Sequence, residues 1–322
     1  MTSQITPQQH PDAQFAVNTM RDDEIDLREL FSVIWQGKWL ITGITILFTI
    51  GSVIITLMMP NIYKSQALLA PAVEENGGGG LAALASQFGG LASIAGINLG
   101  GKGGTDKTLL AMEVAKSHQF ISNFIKKHQI LPDLMAVNKW DIVNNKIEYN
   151  PELYDANSQK WLRKVSFPFS PEPSMQEAYK EFRKIFAIDE SKDTGMVKVS
   201  IEHQSPYIAK QWVDWLVADL NKEMKERDVF EATRSTDFLN KQISMTNVAD
   251  IRAILYKLVE EQAKTIMFAE VRDEYVFKTI DPALIPEEKI KPKRALIVVF
   301  GTMLGLILSV LVMAIVHFVR KR

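Results

Sequence analysis

The chain has 322 residues and not one is cysteine. A disulfide framework and a cysteine nucleophile are therefore excluded. The cellular compartment stays open, because a domain this large builds its core without disulfides. Histidine is sparse: His10, His118, His128, His203 and His317 show no metal-ligand spacing. No G-x-S-x-G nucleophile turn occurs. Carboxylates are plentiful, but they sit in charged helical stretches, where they are most simply solvating groups. The formal net charge is only -1. No catalytic residue, metal, cofactor or nucleic-acid partner is expected.

Charge is also missing locally, and that absence is informative. Residues 39–59, "WLITGITILFTIGSVIITLMM", and residues 295–319, "ALIVVFGTMLGLILSVLVMAIVHFV", contain no Asp, Glu, Lys or Arg. At about 1.5 Å per residue each crosses a hydrocarbon core of roughly 30 Å as a helix. A charge at mid-span would cost about 3 kcal/mol on insertion scales. The first run is too long, and its polar lead too extended, for a cleavable signal, so it reads as a permanent anchor. Trp35 and Trp39 stand where an interfacial aromatic belt is expected.

Two spans put both termini on one side. Arg21, Arg28 and Lys38 precede the first span and Lys64 follows it, which favours a cytoplasmic N-terminus. Around the second span the bias reverses: Lys278, Lys289, Lys291, Lys293 and Arg294 precede it, and Arg320, Lys321 and Arg322 follow. The first helix usually dominates, and loops beyond about 60 residues cross largely regardless of charge. Residues 60–294 are accordingly expected outside, with residues 1–38 and 320–322 in the cytoplasm.

Residues 1–20 are polar and aperiodic. Asp22 and Asp23 can cap an amphipathic lead-in helix carrying Ile25, Leu27, Leu30, Phe31 and Ile34. Beyond the first span, "NIYKSQALLA" has strand character. Residues 74–105 then hold most of the 17 glycines and read as a long loop. Within it, "GINLGGKGGT" nearly spells a phosphate-binding loop. Gly103 follows Lys102, so the magnesium-binding hydroxyl is missing, and no β-branched strand precedes Gly96. A nucleotide site is discounted.

From Thr105, Leu109, Met112, Ile121, Phe124 and Ile125 recur at helical spacing. "NKWDIVNNKIEYNP" suggests a small hairpin or loop, and Ser174-x-x-Glu177 a capping box. Val197, Val199 and Ile201 alternate with polar residues as a half-buried strand requires. Ser205 and Pro206 open the longest helix, running to about Met245. Ile208, Trp212, Leu216 and Leu220 line one row of its first half; the second half is mostly charged. A return helix carries Ile251, Leu255, Leu258 and Ile266. Residues 206–270 thus form a helical arm of roughly 60 Å. Such an arm either assembles beside copies of itself or closes as a hairpin with a solvated face; assembly is the favoured reading. Tyr275, Phe277 and Thr279 alternate as a last strand, and Pro282, Pro286 and Pro292 hold an extended lead into the second span. First and last strands each adjoin a span and can share one sheet. The expected architecture is an α+β domain between two transmembrane helices, with a membrane-proximal mixed sheet and an extended arm.

Three stretches carry a family resemblance: "DEIDLRELFSVIWQGKWLI" from Asp23, "YKSQALLAP" from Tyr63 and "DPALIPEEKIKPKRALIVVFGTMLG" from Asp281, with Gly301 and Gly305 in the last. The layout resembles the chain length determinant (Wzz) family of polysaccharide co-polymerases. The resemblance implies a two-pass inner-membrane protein with a periplasmic α/β domain that assembles into a ring and has no catalytic residues. It implies action with the polymerase Wzy on a growing lipid-linked glycan of O-antigen type. A ruler, a scaffold for several polymerases and a timer of release have all been proposed as mechanisms. The glycine-rich stretch departs from the shortest family members. A membrane adaptor of an exopolysaccharide tyrosine-kinase system, which can share this fold, is the alternative; the kinase would have to act in trans.

Gly301, Gly305 and Ser309 form a small-residue face that permits close helix approach, to the first span or to the polymerase. Lys289, Lys291, Lys293 and Arg294 can meet lipid headgroups or an anionic glycan, with snorkelling at the interface favoured.

Overall fold

The computed structural model describes residue 35 and residues 37–72 and 103–321. Residues 1–34, with most of the lead-in helix, and the phosphate-loop lookalike as far as Lys102 lie outside the described residues. In chain order the elements are α1 (Lys38–Met58), β1 (Ile62–Pro71), α2 (Gly103–Lys116), α3 (His118–His128), α4 (Leu131–Met135), β2 (Val137–Asp141) and β3 (Lys146–Tyr149). There follow β4 (Tyr154–Asp155), β5 (Lys160–Trp161), α5 (Met175–Ile185), β6 (Phe186–Glu190), β7 (Val197–His203), α6 (Pro206–Met245), α7 (Ala249–Val271), β8 (Phe277–Asp281), β9 (Lys289–Lys291) and α8 (Arg294–Lys321). The described residues form two compact units, one from those up to 58 with those from 294 onward, the other from those between 59 and 293.

The smaller unit pairs α1 with α8. Both are long and apolar enough to cross a membrane, and most of their side chains are uncovered by protein. The chain is therefore an α+β protein with a candidate transmembrane helix at each end of its described length.

The larger unit is built on a sheet of order β6-β7-β1-β8, with β9 also on β1. Strand β1 lies along β7 from Tyr63↔His203 to Leu69↔Val197. On its other edge, Leu68 to Pro71 meet β8 and Ile62 and Tyr63 meet β9. First and last strands do share a sheet. Every pairing is antiparallel, however, so the sheet is not of mixed strand direction. The β6–β7 connection shows why: Ser191 N–H donates to Met196 O (2.8 Å) and Gly195 takes φ +66°, a tight turn that only antiparallel neighbours allow.

One face of this sheet buries the core. Val197, Val199 and Ile201 from β7 and Ala67 and Leu69 from β1 meet Trp212, Val213, Leu216 and Leu220 of α6. Helices α2, α3 and α5 add Met112, Phe124 and Phe182. The i,i+4 row read from the sequence is thus the buried stripe of α6, Ile208 being partly buried at its start. Ser205 caps this helix, accepting from Ile208 N (3.4 Å), and Ser174 and Glu177 make both bonds of the capping box on α5.

Two expectations about the helices need correction. The glycine-rich segment does not extend to Thr105, because α2 already begins at Gly103. The single helix expected beyond it breaks at Ser117, which caps α3 by accepting from Phe120 N (3.2 Å). The proline-rich lead is extended, as expected, and Lys289–Lys291 of it also pairs as β9 with the start of β1. Its prolines do not obstruct this, since Pro286 and Pro292 flank the paired residues.

Candidate functional site

In the smaller unit the small-residue face of α8 meets α1. A Cβ placed on Gly301 would stand 2.6 Å from Ser52 Cβ, and one on Gly305 2.6 Å from Phe48 Cβ. Neither position has room for a side chain. Ser309 is fully buried and donates to Leu306 O (2.7 Å). Thr49 Oγ1 lies 3.1 Å from Thr302 Oγ1, so the glycines flank a hydroxyl contact between the helices. In hydrocarbon, where apolar burial drives no association, such close approach and polar contact are what hold helices together. The sequence left two partners open for this face; within the chain, α1 occupies it. Ser52 and Thr302 escaped the sequence reading, although hydroxyls in otherwise apolar spans were the available signal.

The expected interface residues are spread over both units. Trp35 and Trp39 are exposed, Trp39 by 81%. Lys38 Nζ stands 5.3 Å over the Trp35 ring. Lys291 is engaged by the Glu202 carboxylate, so it is not a bare cation awaiting a ligand. Lys289 Nζ donates to Asn61 Oδ1 (3.1 Å), and Lys293 is exposed. Pro282 and Pro286 line a small cleft of about 320 Å³ with Lys64, Gln66 and Ile290. Ser65 Oγ donates to Leu284 O (2.7 Å) beside it, pinning the proline-rich stretch to β1.

Several polar locks of the larger unit were not anticipated. Asn221 is buried on α6; its Nδ2 donates to Phe277 O (3.0 Å), and its Oδ1 accepts from Val276 N and Phe277 N (2.9 Å each). His203 is buried at the end of β7. Its Nε2 donates to Asp133 O (3.0 Å) and its Nδ1 accepts from Ser205 N (3.0 Å), the pattern of a neutral imidazole. Burial holds its pKa below the ordinary histidine value. Tyr149 donates to Asp133 Oδ1 (2.6 Å), and burial followed by that carboxylate pushes its pKa well above the usual phenol range. At the C-terminal end of α3, His128 stacks on Trp215 (4.2 Å between centroids) and reaches Asp219 Oδ2 (2.8 Å). Each of these side chains is engaged by protein groups that join separate elements of the larger unit.

The arm is a hairpin of α6 on α7. Between them and α2 runs a groove of about 850 Å³ whose lining includes Leu110, Arg227, Phe230, Arg234, Phe238 and Leu258. Phe230 and Phe238 are 69% and 61% exposed. The arm closes as a hairpin with an internal return leg, and among the described residues Phe230 and Phe238 stay largely exposed on its outer half.

The architecture so far defines a class: an antiparallel α+β domain with a helical hairpin, bracketed by two membrane-compatible helices. Residues 23–128 match the family model "Chain length determinant protein" (Wzz), which bears out the family resemblance. Residues 247–320 match a second model, "G-rich domain on putative tyrosine kinase". The first two resembling stretches fall in the first match and the third falls in the second. No curated protein matches the chain. Among solved structures, a full-length bacterial polysaccharide co-polymerase is 12% identical, covering 92% of this chain and 99% of that one at a TM-score of 0.39. A fragment of WzzB, a polysaccharide co-polymerase from Salmonella Typhimurium, is 12% identical, covering 72% of this chain and 100% of that one at 0.26. At these scores the likeness carries no argument.

Proposed function

We propose that the protein is a non-catalytic regulator of surface-polysaccharide chain length of the O-antigen type. It works as a ring-like homo-oligomer in the bacterial inner membrane, with a Wzy-type polymerase and its lipid-linked glycan. Residues 60–294 lie in the periplasm and both termini in the cytoplasm. The observation that carries this reading is the chain length determinant match over residues 23–128, which takes in α1, β1, α2 and α3. The structure supports it physically. The locks on Asn221, His203 and His128 build rigidity rather than reactivity, and the arm offers Phe230 and Phe238 to neighbouring copies. Such a protein acts by where it holds its partners.

The second reading, membrane adaptor of an exopolysaccharide tyrosine-kinase system, is favoured by the match over residues 247–320. One experiment separates the two: a gel of surface polysaccharide from a strain lacking the gene, beside the complemented strain. A clustered ladder that turns random and mostly short on deletion supports the length regulator. Complete loss of polymer transfers support to the adaptor. An unchanged ladder of every surface glycan refutes both.

A further inference from the structure

The β2–β3 hairpin carries an unexplained feature at its tip. Turns favour Gly, Pro, Asn, Asp and Ser. Here Asp141, Asn144 and Asn145 supply that chemistry, yet Ile142 and Val143 sit between them, 65% and 89% exposed. The tip is well defined. Asp141 Oδ1 accepts from Val143 N (2.9 Å), its Oδ2 accepts from Asn144 Nδ2 (2.6 Å), and Trp140 Nε1 donates to Asn145 Oδ1 (2.9 Å). Among the described residues, these two β-branched apolar side chains stand largely exposed on a hydrogen-bonded turn.

Where the tip stands follows from its neighbours and from covalent reach. The Trp140 ring meets Tyr63 edge-on at 5.7 Å between centroids and Tyr207 at 6.2 Å. Tyr63 is near the start of β1, where Ile62 pairs with Lys291 of β9. Only residues 59–61 separate β1 from α1, and only residues 292–293 separate β9 from α8. At about 3.5 Å per residue, these linkers keep that end of the sheet within roughly 14 Å of each helix end. With both helices across a bilayer, this end is the one held at the bilayer surface, and Ile142 follows Trp140 by two residues. Trp140, Tyr63 and Tyr207 then supply aromatics at the depth where membrane proteins concentrate them.

We propose that the tip of the β2–β3 hairpin, through Ile142 and Val143, enters the interfacial layer of the phospholipid bilayer and forms a third membrane contact of the chain. The proposal rests on the two-span reading above. Its chemistry is the burial of an apolar loop at headgroup level, beside Lys139 and Lys146, whose ammonium groups stay in water.

The absence of native cysteine makes the test direct. Val143→Cys, Asp193→Cys and Ile54→Cys are each labelled with an environment-sensitive fluorophore. The full chain is reconstituted in vesicles of phosphatidylethanolamine and phosphatidylglycerol, with no partner protein, and nitroxide-bearing phospholipid is added as quencher. Asp193 is exposed on the β6–β7 turn, at the opposite end of β7 from the tethers, and Ile54 is exposed on α1. The expected result is a blue-shifted emission and loss of most fluorescence at position 143, as at position 54, with position 193 unshifted and unquenched. Quenching at 54 with position 143 behaving like 193 overturns the hairpin contact and leaves the two-span reading standing. Absence of quenching at 54 overturns both.

Discussion

Replacing Asn221 with leucine tests how α6 is tied to strand β8. Among the described residues β8 stands at the edge of the sheet, with no further strand on its outward backbone groups. The Asn221 amide acts in place of one, making three hydrogen bonds of 2.9–3.0 Å to Val276 and Phe277. Leucine has nearly the same volume, so Asn221→Leu opens no large cavity, but it leaves three buried backbone groups without their partner. At about 1 kcal/mol for each bond the loss is about 3 kcal/mol, and more if water cannot reach the freed groups. That is about two orders of magnitude in the folded-to-unfolded ratio. Denaturant unfolding of the detergent-solubilised chain, followed through tryptophan emission, reads it directly. Asn221→Asp keeps the acceptor for both N–H groups and loses only the donor to Phe277 O, but it buries a carboxylate; it too is expected to destabilise. A leucine variant within about 1 kcal/mol of the parent would refute the assignment of Asn221 as a structural lock.

Three further outcomes are expected. Gly301→Leu and Gly305→Leu drive a side chain into Ser52 and Phe48 respectively; each should shift the polysaccharide length distribution while the protein stays in the membrane fraction, and unchanged distributions in both would defeat that role for the face. Arg163 bonds Glu177 Oε1 (3.0 Å) and the carbonyls of Pro171 and Ser170, and this bond first, then the Ser174 backbone N–H, holds the Glu177 pKa below its ordinary 4.5. A depressed carboxylate pKa stabilises the fold above the unfolded value and loses that contribution as pH falls through the folded value. The stability difference between the parent and Arg163→Ala should therefore be full near neutrality and shrink below about pH 4.5; a difference that does not change with pH would count against the pairing. Phe230→Asp with Phe238→Asp should lower the oligomeric mass of the purified protein by light scattering, and an unaltered mass would remove the outer arm from the subunit interface.

Much of this protein was legible as local pattern. Uncharged runs identified both long apolar helices, α1 and α8, because a charge inside hydrocarbon is costly. The alternation Val197, Val199, Ile201 identified β7, and the row Trp212, Leu216, Leu220 identified the buried stripe of α6, because side-chain period follows directly from backbone geometry. Ser174 and Ser205 were readable as caps, since capping involves only neighbours in sequence. Gly301 and Gly305 were readable as a small face.

What the tertiary structure alone decided is partnership across distance. No local pattern shows that Gly301 meets Ser52, that Asn221 completes the edge of β8, or that β9 folds back onto β1. Nor does any show that Trp140 stands against Tyr63, which brings the Ile142–Val143 turn to the tethered end of the sheet. The physical reason is the same in each case. Propensity and periodicity act over a few residues, whereas each of these contacts joins segments far apart along the chain, and only the packed fold specifies which surface each one meets.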